Sequence, residues 1–180
     1  MQKNIPNILT LLRIALIPAL VLAFYADLKV AHCASAVIFI FASITDYVDG
    51  FLARAWGVQS NFGKVLDPIA DKLLVSATLI MMVEKNIVPV VPTLFIICRE
   101  ILVAGMREYL AELKVRLQDS YLAKIKTAVQ MIAIIMLLLG EDVTGLSYTD
   151  FIGRLLIWVA SILTILTGYK YLRQGIKSFQ

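Results

Sequence analysis

Six apolar stretches, each about long enough to cross a hydrocarbon core as a helix, take up nearly all of the 180 residues. They read as residues 9–25, 30–56, 63–83, 88–113, 123–140 and 151–171, joined by short connectors. Hydrocarbon offers no partner to a backbone N–H or C=O, so such segments must close their own hydrogen bonds as helices. The expected fold is an all-α integral membrane protein with six transmembrane helices, a single membrane domain over residues 1–180. Apolar residues make up 60% of the chain, against about 45–50% in soluble domains. That excess sets aside a soluble enzyme, a disordered tail and a disulfide scaffold. Cys33 and Cys98 permit at most one bridge, and the lone His32 leaves no basis for a histidine metal site or a Ser–His triad. The first apolar run, flanked by Lys3 and Arg13 and interrupted by Pro18, reads as a retained span rather than a cleaved signal.

The net charge of +4 is explained by the membrane rather than by nucleic acid. With the N-terminus inside, the inner ends carry Lys3, Arg13, Arg54, Lys64, Lys114, Arg116, Lys124, Lys126, Lys170, Arg173 and Lys177. The outer ends keep Lys29, Lys85 and Arg154, together with Glu84, Glu141, Asp142 and Asp150. This bias predicts that both termini face the cytoplasm.

Acids are costly inside a membrane helix. This chain nevertheless puts Asp46 and Asp49 in the inner half of span two, and Asp67 and Asp71 in the inner half of span three. Spacings of three and four place each pair on one helix face. A short turn makes the two helices antiparallel, so the pairs can face each other at similar depth. Four converging carboxylates must hold protons, pair with bases such as Arg54, Lys64 and Lys72, or bind cations. Hard oxygen donors suit Mg²⁺, Ca²⁺ or Mn²⁺. Two such ions about 3.5–4 Å apart would clamp a phosphoryl group during in-line displacement. A cation or proton pathway also places acids in spans, but a transporter usually spreads polar groups through both halves of the membrane. Gly50, Ala53 and Gly63 leave room for a ligand or for close helix packing. Pro68 is expected to bend or widen span three beside the acids.

Read together, the residues are Asp46-x2-Asp49-Gly50-x2-Ala53-Arg54-x8-Gly63-x3-Asp67-x3-Asp71. This resembles, without departure, the signature of the CDP-alcohol phosphatidyltransferase family: eight fixed residues over 26 positions. The start, Asn4-Ile5-Pro6-Asn7-x2-Thr10-Leu11-x-Arg13, is similar to that of bacterial phosphatidylglycerophosphate synthases within it. So are Arg99-Glu100, Arg107-Glu108 and Lys124-Ile125-Lys126-Thr127, although Ala123 stands where many relatives have glycine.

The resemblance implies transfer of a phosphatidyl group from CDP-diacylglycerol to sn-glycerol 3-phosphate, releasing CMP, in a bacterial inner membrane and by a homodimer. It implies two divalent cations, Mg²⁺ or Mn²⁺, held by Asp46, Asp49, Asp67 and Asp71, with Asp71 also the candidate general base. It assigns CDP binding to Asn7, Thr10, Arg13, Asp46, Asp49, Gly50, Ala53, Arg54 and Gly63. The residues themselves leave base and ligand open among the four acids.

An acceptor phosphate needs cationic groups at the inner face, and arginine suits phosphate because its fork bonds in a bidentate manner. Arg99, Arg107, Lys124 and Lys126 are the candidates. The arginines could instead pair with Glu100, Glu108 or Glu112, and the lysines could anchor a helix at lipid headgroups. The basic set does not separate glycerol 3-phosphate from inositol phosphate, and serine or phosphatidylglycerol remain other acceptors. Tyrosines and tryptophans near span ends, Trp56 and Tyr148 among them, read as interfacial anchors. Cys98 reads as a packing residue, Asp119 and Ser120 as caps for span five, and 170–177 as a basic tail on anionic lipid.

Overall fold

The computed structural model describes residues 5–55, 61–112 and 121–177; the side chains of 5–7, 28, 47, 49–55, 61–65, 111–112 and 174–177 lie outside that description. The described residues form six α-helices: α1 (Ile5–Ala23), α2 (Leu28–Ala55), α3 (Asn61–Glu84), α4 (Val90–Glu112), α5 (Tyr121–Thr144) and α6 (Thr149–Lys177). Each matches one of the six apolar stretches. Among the described residues, three helices are long and apolar enough to cross a membrane, over Lys29–Asp46, Tyr121–Thr144 and Thr149–Arg173, and α1 carries a shorter apolar run, Ile8–Ala23. In α3 and α4 the acids and bases lower the apolar character.

Local chemistry explains the helix ends. Asp27 precedes α2, and its carbonyl accepts the first helical bond from the Ala31 N–H at 2.7 Å. Asn86, with φ of 58°, turns the chain out of α3 in the left-handed region that asparagine tolerates. Asp150 sits in the first turn of α6, where an acid meets the positive end of the helix dipole. α3 runs unbroken through Pro68. A kink lies in α5, where Gly140 adopts φ 62° and ψ 178°, a conformation open essentially to glycine alone. The Leu138 carbonyl accepts from His32 Nδ1 at 2.8 Å, so the single histidine serves a helix break.

The chain divides into two compact units. The first comprises residues 1–82 and 138–145, in which α1 packs along α2. Leu20, Phe24, Ala36, Phe39, Ala42, Ala70, Leu74 and Leu79 are buried there. The second comprises residues 83–137 and 146–180, in which α4 packs along α6. Its buried residues include Ile96, Val103, Leu110, Ile134, Leu137 and Ile157. Gly153 lets α6 approach α5 closely, since a Cβ there would lie 2.5 Å from Leu137 Cγ. Every helix also turns large apolar side chains outward: Leu22, Val37, Ile80, Ile101, Ile132 and Ile162 are all more than half exposed. An apolar surface on all helices is a liability in water and costs nothing in lipid. Cys98, expected to pack, is exposed, and both cysteines are free thiols.

Candidate active site

In the first unit, α1 delivers two side chains to the acids. Thr10 and Arg13 are three residues apart, on one face of α1, and both are fully buried. Arg13 Nη1 pairs with Asp46 Oδ1 of α2 at 2.6 Å. The Thr10 hydroxyl donates to Asp67 Oδ1 of α3. One turn of α1 therefore meets an acid from each of the two acidic helices. Lys72, one of the bases weighed as an alternative partner for the acids, donates from Nζ to the Pro68 carbonyl at 3.3 Å. Arg54 and Lys64, the other bases considered, lie with their side chains outside the described residues.

Asp71, one turn beyond Asp67 on α3, is partly exposed. The side chains of Asp49, Gly50, Ala53, Arg54, Gly63 and Asn7 lie outside the described residues, as do Trp56, Asp119 and Ser120 entirely. Among the described residues, no group of three or more His, Cys, Asp or Glu side chains is arranged to hold a metal ion. The donor chemistry nevertheless fits a hard divalent cation. Asp46, Asp67 and Asp71 offer carboxylate oxygens, the hard donors that such an ion takes.

The second unit holds the basic residues, and it gathers more of them than charge placement alone suggests. Glu100 Oε1 takes Arg99 Nη1 at 3.2 Å and also accepts from Lys126 Nζ. Lys126 is 3% exposed, which places it in a buried ion cluster rather than at the headgroups. Lys124 is exposed on the same helix. Arg99 Nη2 donates to Thr167 Oγ1 at 3.1 Å, and Arg107 Nη2 donates to the Tyr171 hydroxyl at 2.7 Å. Both guanidinium groups also lie over the Tyr171 ring, at 5.5 Å for Arg99 and 4.9 Å for Arg107. Such contacts between a cation and an aromatic face are attractive, and more so away from water.

Sequence reading missed this α6 contribution. Tyr171 ends the sixth apolar stretch and was expected to be an interfacial anchor; at 2% exposure it is instead buried against two arginines. Thr164, Thr167 and Tyr171 are all buried on one stripe of α6. Gly168 lies beside that stripe, and a Cβ there would come within 3.0 Å of Arg99 Cγ. The available signal was that spacing of hydroxyls and a small residue in a run otherwise rich in Leu, Ile and Val.

Comparison with known proteins places these residues in context. The model of the CDP-alcohol phosphatidyltransferase family matches residues 3–166. A Rickettsia felis protein named CDP-diacylglycerol–glycerol-3-phosphate 3-phosphatidyltransferase is 46% identical over 178 residues, covering 99% of this chain and 98% of its own. A Rickettsia typhi protein of the same name is 47% identical over 172 residues, 96% of this chain and 97% of its own. One from Salmonella choleraesuis, also so named, is 40% identical over 176 residues, 96% of this chain and 94% of its own.

Proposed function

Because this chain belongs to the CDP-alcohol phosphatidyltransferase family, we propose that it transfers the phosphatidyl group of CDP-diacylglycerol to sn-glycerol 3-phosphate, giving phosphatidylglycerophosphate and CMP. What carries the reading is the name of that activity on relatives 40–47% identical over nearly the whole chain. The acid motif of α2 and α3 supplies the chemistry that such a transfer needs.

The acceptor hydroxyl oxygen attacks the phosphatidyl phosphorus, and the bond from that phosphorus to the CMP oxygen breaks, the electron pair leaving with CMP. Asp71 takes the hydroxyl proton on a carboxylate oxygen. Asp46, Asp49, Asp67 and Asp71 would hold two divalent cations, Mg²⁺ or Mn²⁺, which when bound supply positive charge to the diphosphate. Arg13 and Thr10 fix the Asp46 and Asp67 carboxylates, so that these do not reorganise as charge develops. Asn7, Gly50, Ala53, Arg54 and Gly63 contribute to CDP binding, glycine and alanine by leaving space and Arg54 by its charge. Arg99, Arg107, Lys124 and Lys126 take the acceptor phosphate.

The same reading makes all six helices membrane spans of one domain in a bacterial inner membrane, with both termini and the acids on the cytoplasmic side, and makes the working form a homodimer. Its support is the distribution of lysine and arginine along the chain and the outward apolar residues of every helix.

The test is CMP release by detergent-solubilised protein supplied with CDP-diacylglycerol, a divalent cation and one acceptor at a time. Release that requires both the cation and glycerol 3-phosphate is expected. Release with inositol phosphate, serine or phosphatidylglycerol alone reassigns the acceptor, and the absence of release with every acceptor defeats the transferase reading.

A further inference from the structure

We infer that Tyr171 is a positioning residue for the acceptor: its ring and hydroxyl gather Arg99 and Arg107 into one anion-binding pair. The inference rests on the reading of those arginines as the phosphate site. Arg99 and Arg107 are eight residues apart on α4, so their backbones are separated by about 12 Å along the helix. Their guanidinium carbons nevertheless lie 5.5 and 4.9 Å from the centroid of the same ring. The two guanidinium carbons are thus no more than about 10.4 Å apart, with one ring in contact with both. A phosphate dianion that bonds both guanidinium groups would hold them in this arrangement.

Each part of Tyr171 has a distinct task. The ring face attracts both cations without neutralising them, which an acid in its place would do. The hydroxyl accepts from Arg107 Nη2 at 2.7 Å and sets the direction of its fork. Thr167, one turn earlier, accepts from Arg99 Nη2 at 3.1 Å while its own hydroxyl turns back to the Leu163 carbonyl at 2.8 Å. Arg99 Nε stays buried with no hydrogen-bond partner among the described residues. A donor left in that state is one that a bound phosphate oxygen can satisfy. Tyr171 itself is 2% exposed, so it acts on the acceptor through the arginines.

The experiment measures KM for each substrate and kcat in mixed micelles for the parent, Tyr171→Phe, Tyr171→Leu and Arg107→Ala. Tyr171→Phe keeps the ring and loses the hydroxyl, and should raise KM for glycerol 3-phosphate about fivefold. Tyr171→Leu loses both and should raise it on the order of 30-fold. In both variants KM for CDP-diacylglycerol should stay within about twofold, a split that general loosening of the bundle does not produce. If Tyr171→Leu does not fold, Tyr171→Phe decides alone. An unchanged acceptor KM in Tyr171→Phe, or an equal rise for both substrates, overturns the inference. Arg107→Ala separates the two levels. If it leaves the acceptor KM unchanged, the phosphate-site reading fails and takes the inference with it. If it raises that KM while Tyr171→Phe does not, only the role of Tyr171 falls.

Discussion

The acidic and basic regions solve the same physical problem with different partners. Each keeps charged side chains inside helices that are otherwise apolar, and each does so with side chains about one turn apart on a second helix. For the acids the second helix is α1, with Thr10 and Arg13. For the bases it is α6, with Thr167 and Tyr171. The difference lies in what is delivered. Arg13 brings a full opposite charge to Asp46, whereas Tyr171 brings a ring face and an oxygen that leave both arginines cationic. Where the basic region does contain an opposite charge, it is Glu100 of α4, shared by Arg99 and Lys126. The acidic region should therefore respond to changes in charge, and the basic region to changes in position as well.

The sharpest way to break that contrast is to remove one acid without changing its shape. Asp67→Asn keeps an acceptor for the Thr10 hydroxyl but removes the charge, and should lower CMP release by about 10³-fold or more. The helix content and melting temperature of the solubilised protein should remain near those of the parent. A variant that retains more than a tenth of the parent rate removes Asp67 from the proposed cation site.

A smaller effect, on stability, is expected from the ion cluster of the second unit. Glu100→Gln takes away the carboxylate that faces both Arg99 and the buried Lys126, and should cost about 3 kcal/mol. Adding Lys126→Met should restore most of that loss, because the double variant no longer buries that uncompensated ammonium. The acceptor KM should be elevated in the double variant, since a proposed phosphate ligand is gone. Additive losses of stability in the two single variants would mean that Lys126 and Glu100 do not act as a pair.

How far the sequence reveals each region follows from the same difference. The six helices were readable because a long apolar run with short polar connectors favours a helix that closes its own hydrogen bonds, and each helix matches one run. The acids of α2 and α3 stood out because carboxylates are rare in such runs, and Arg13 because it is a cation. Its choice of Asp46 was not readable, since nothing local links residues 33 positions apart. Tyr171 and Thr167 escaped notice for the opposite reason: both residue types are ordinary in membrane helices, and only the packing of α4 along α6 gives them a task. Helix breaks illustrate a third limit. A proline costs a helix one donor, but α3 continues through it, while the actual break at Gly140 needed a conformation that composition does not announce.

Arg13→Met sharpens the acidic side of the comparison. It deprives Asp46 of a charge-assisted bond and should cost about 2–3 kcal/mol in the absence of divalent cation. A bound cation would supply positive charge to the same acids and stabilise the folded form by mass action. The rise in melting temperature on adding millimolar Mg²⁺ should accordingly be larger in Arg13→Met than in the parent. An equal rise in the two proteins would separate Arg13 from the proposed cation site.

The smallest expected effect tests whether position alone matters in the basic region. Gly168→Ala changes no charge and removes no hydrogen-bonding group. Its Cβ would stand 3.0 Å from Arg99 Cγ, a contact that the flexible stem of Arg99 can relieve by moving a few tenths of an ångström. Alanine is also the better helix former, by about 0.8–1 kcal/mol at a helix-interior position. Stability should thus be unchanged or slightly higher, while the displaced guanidinium raises the acceptor KM about two- to threefold. A rise confined to glycerol 3-phosphate in a protein no less stable than the parent is the signature of a misplaced arginine, because a loosened bundle would lose stability and both substrates together. If the acceptor KM does not move, the position of the Arg99 stem is not what limits phosphate binding, and the basic region works through charge in the same way as the acidic one.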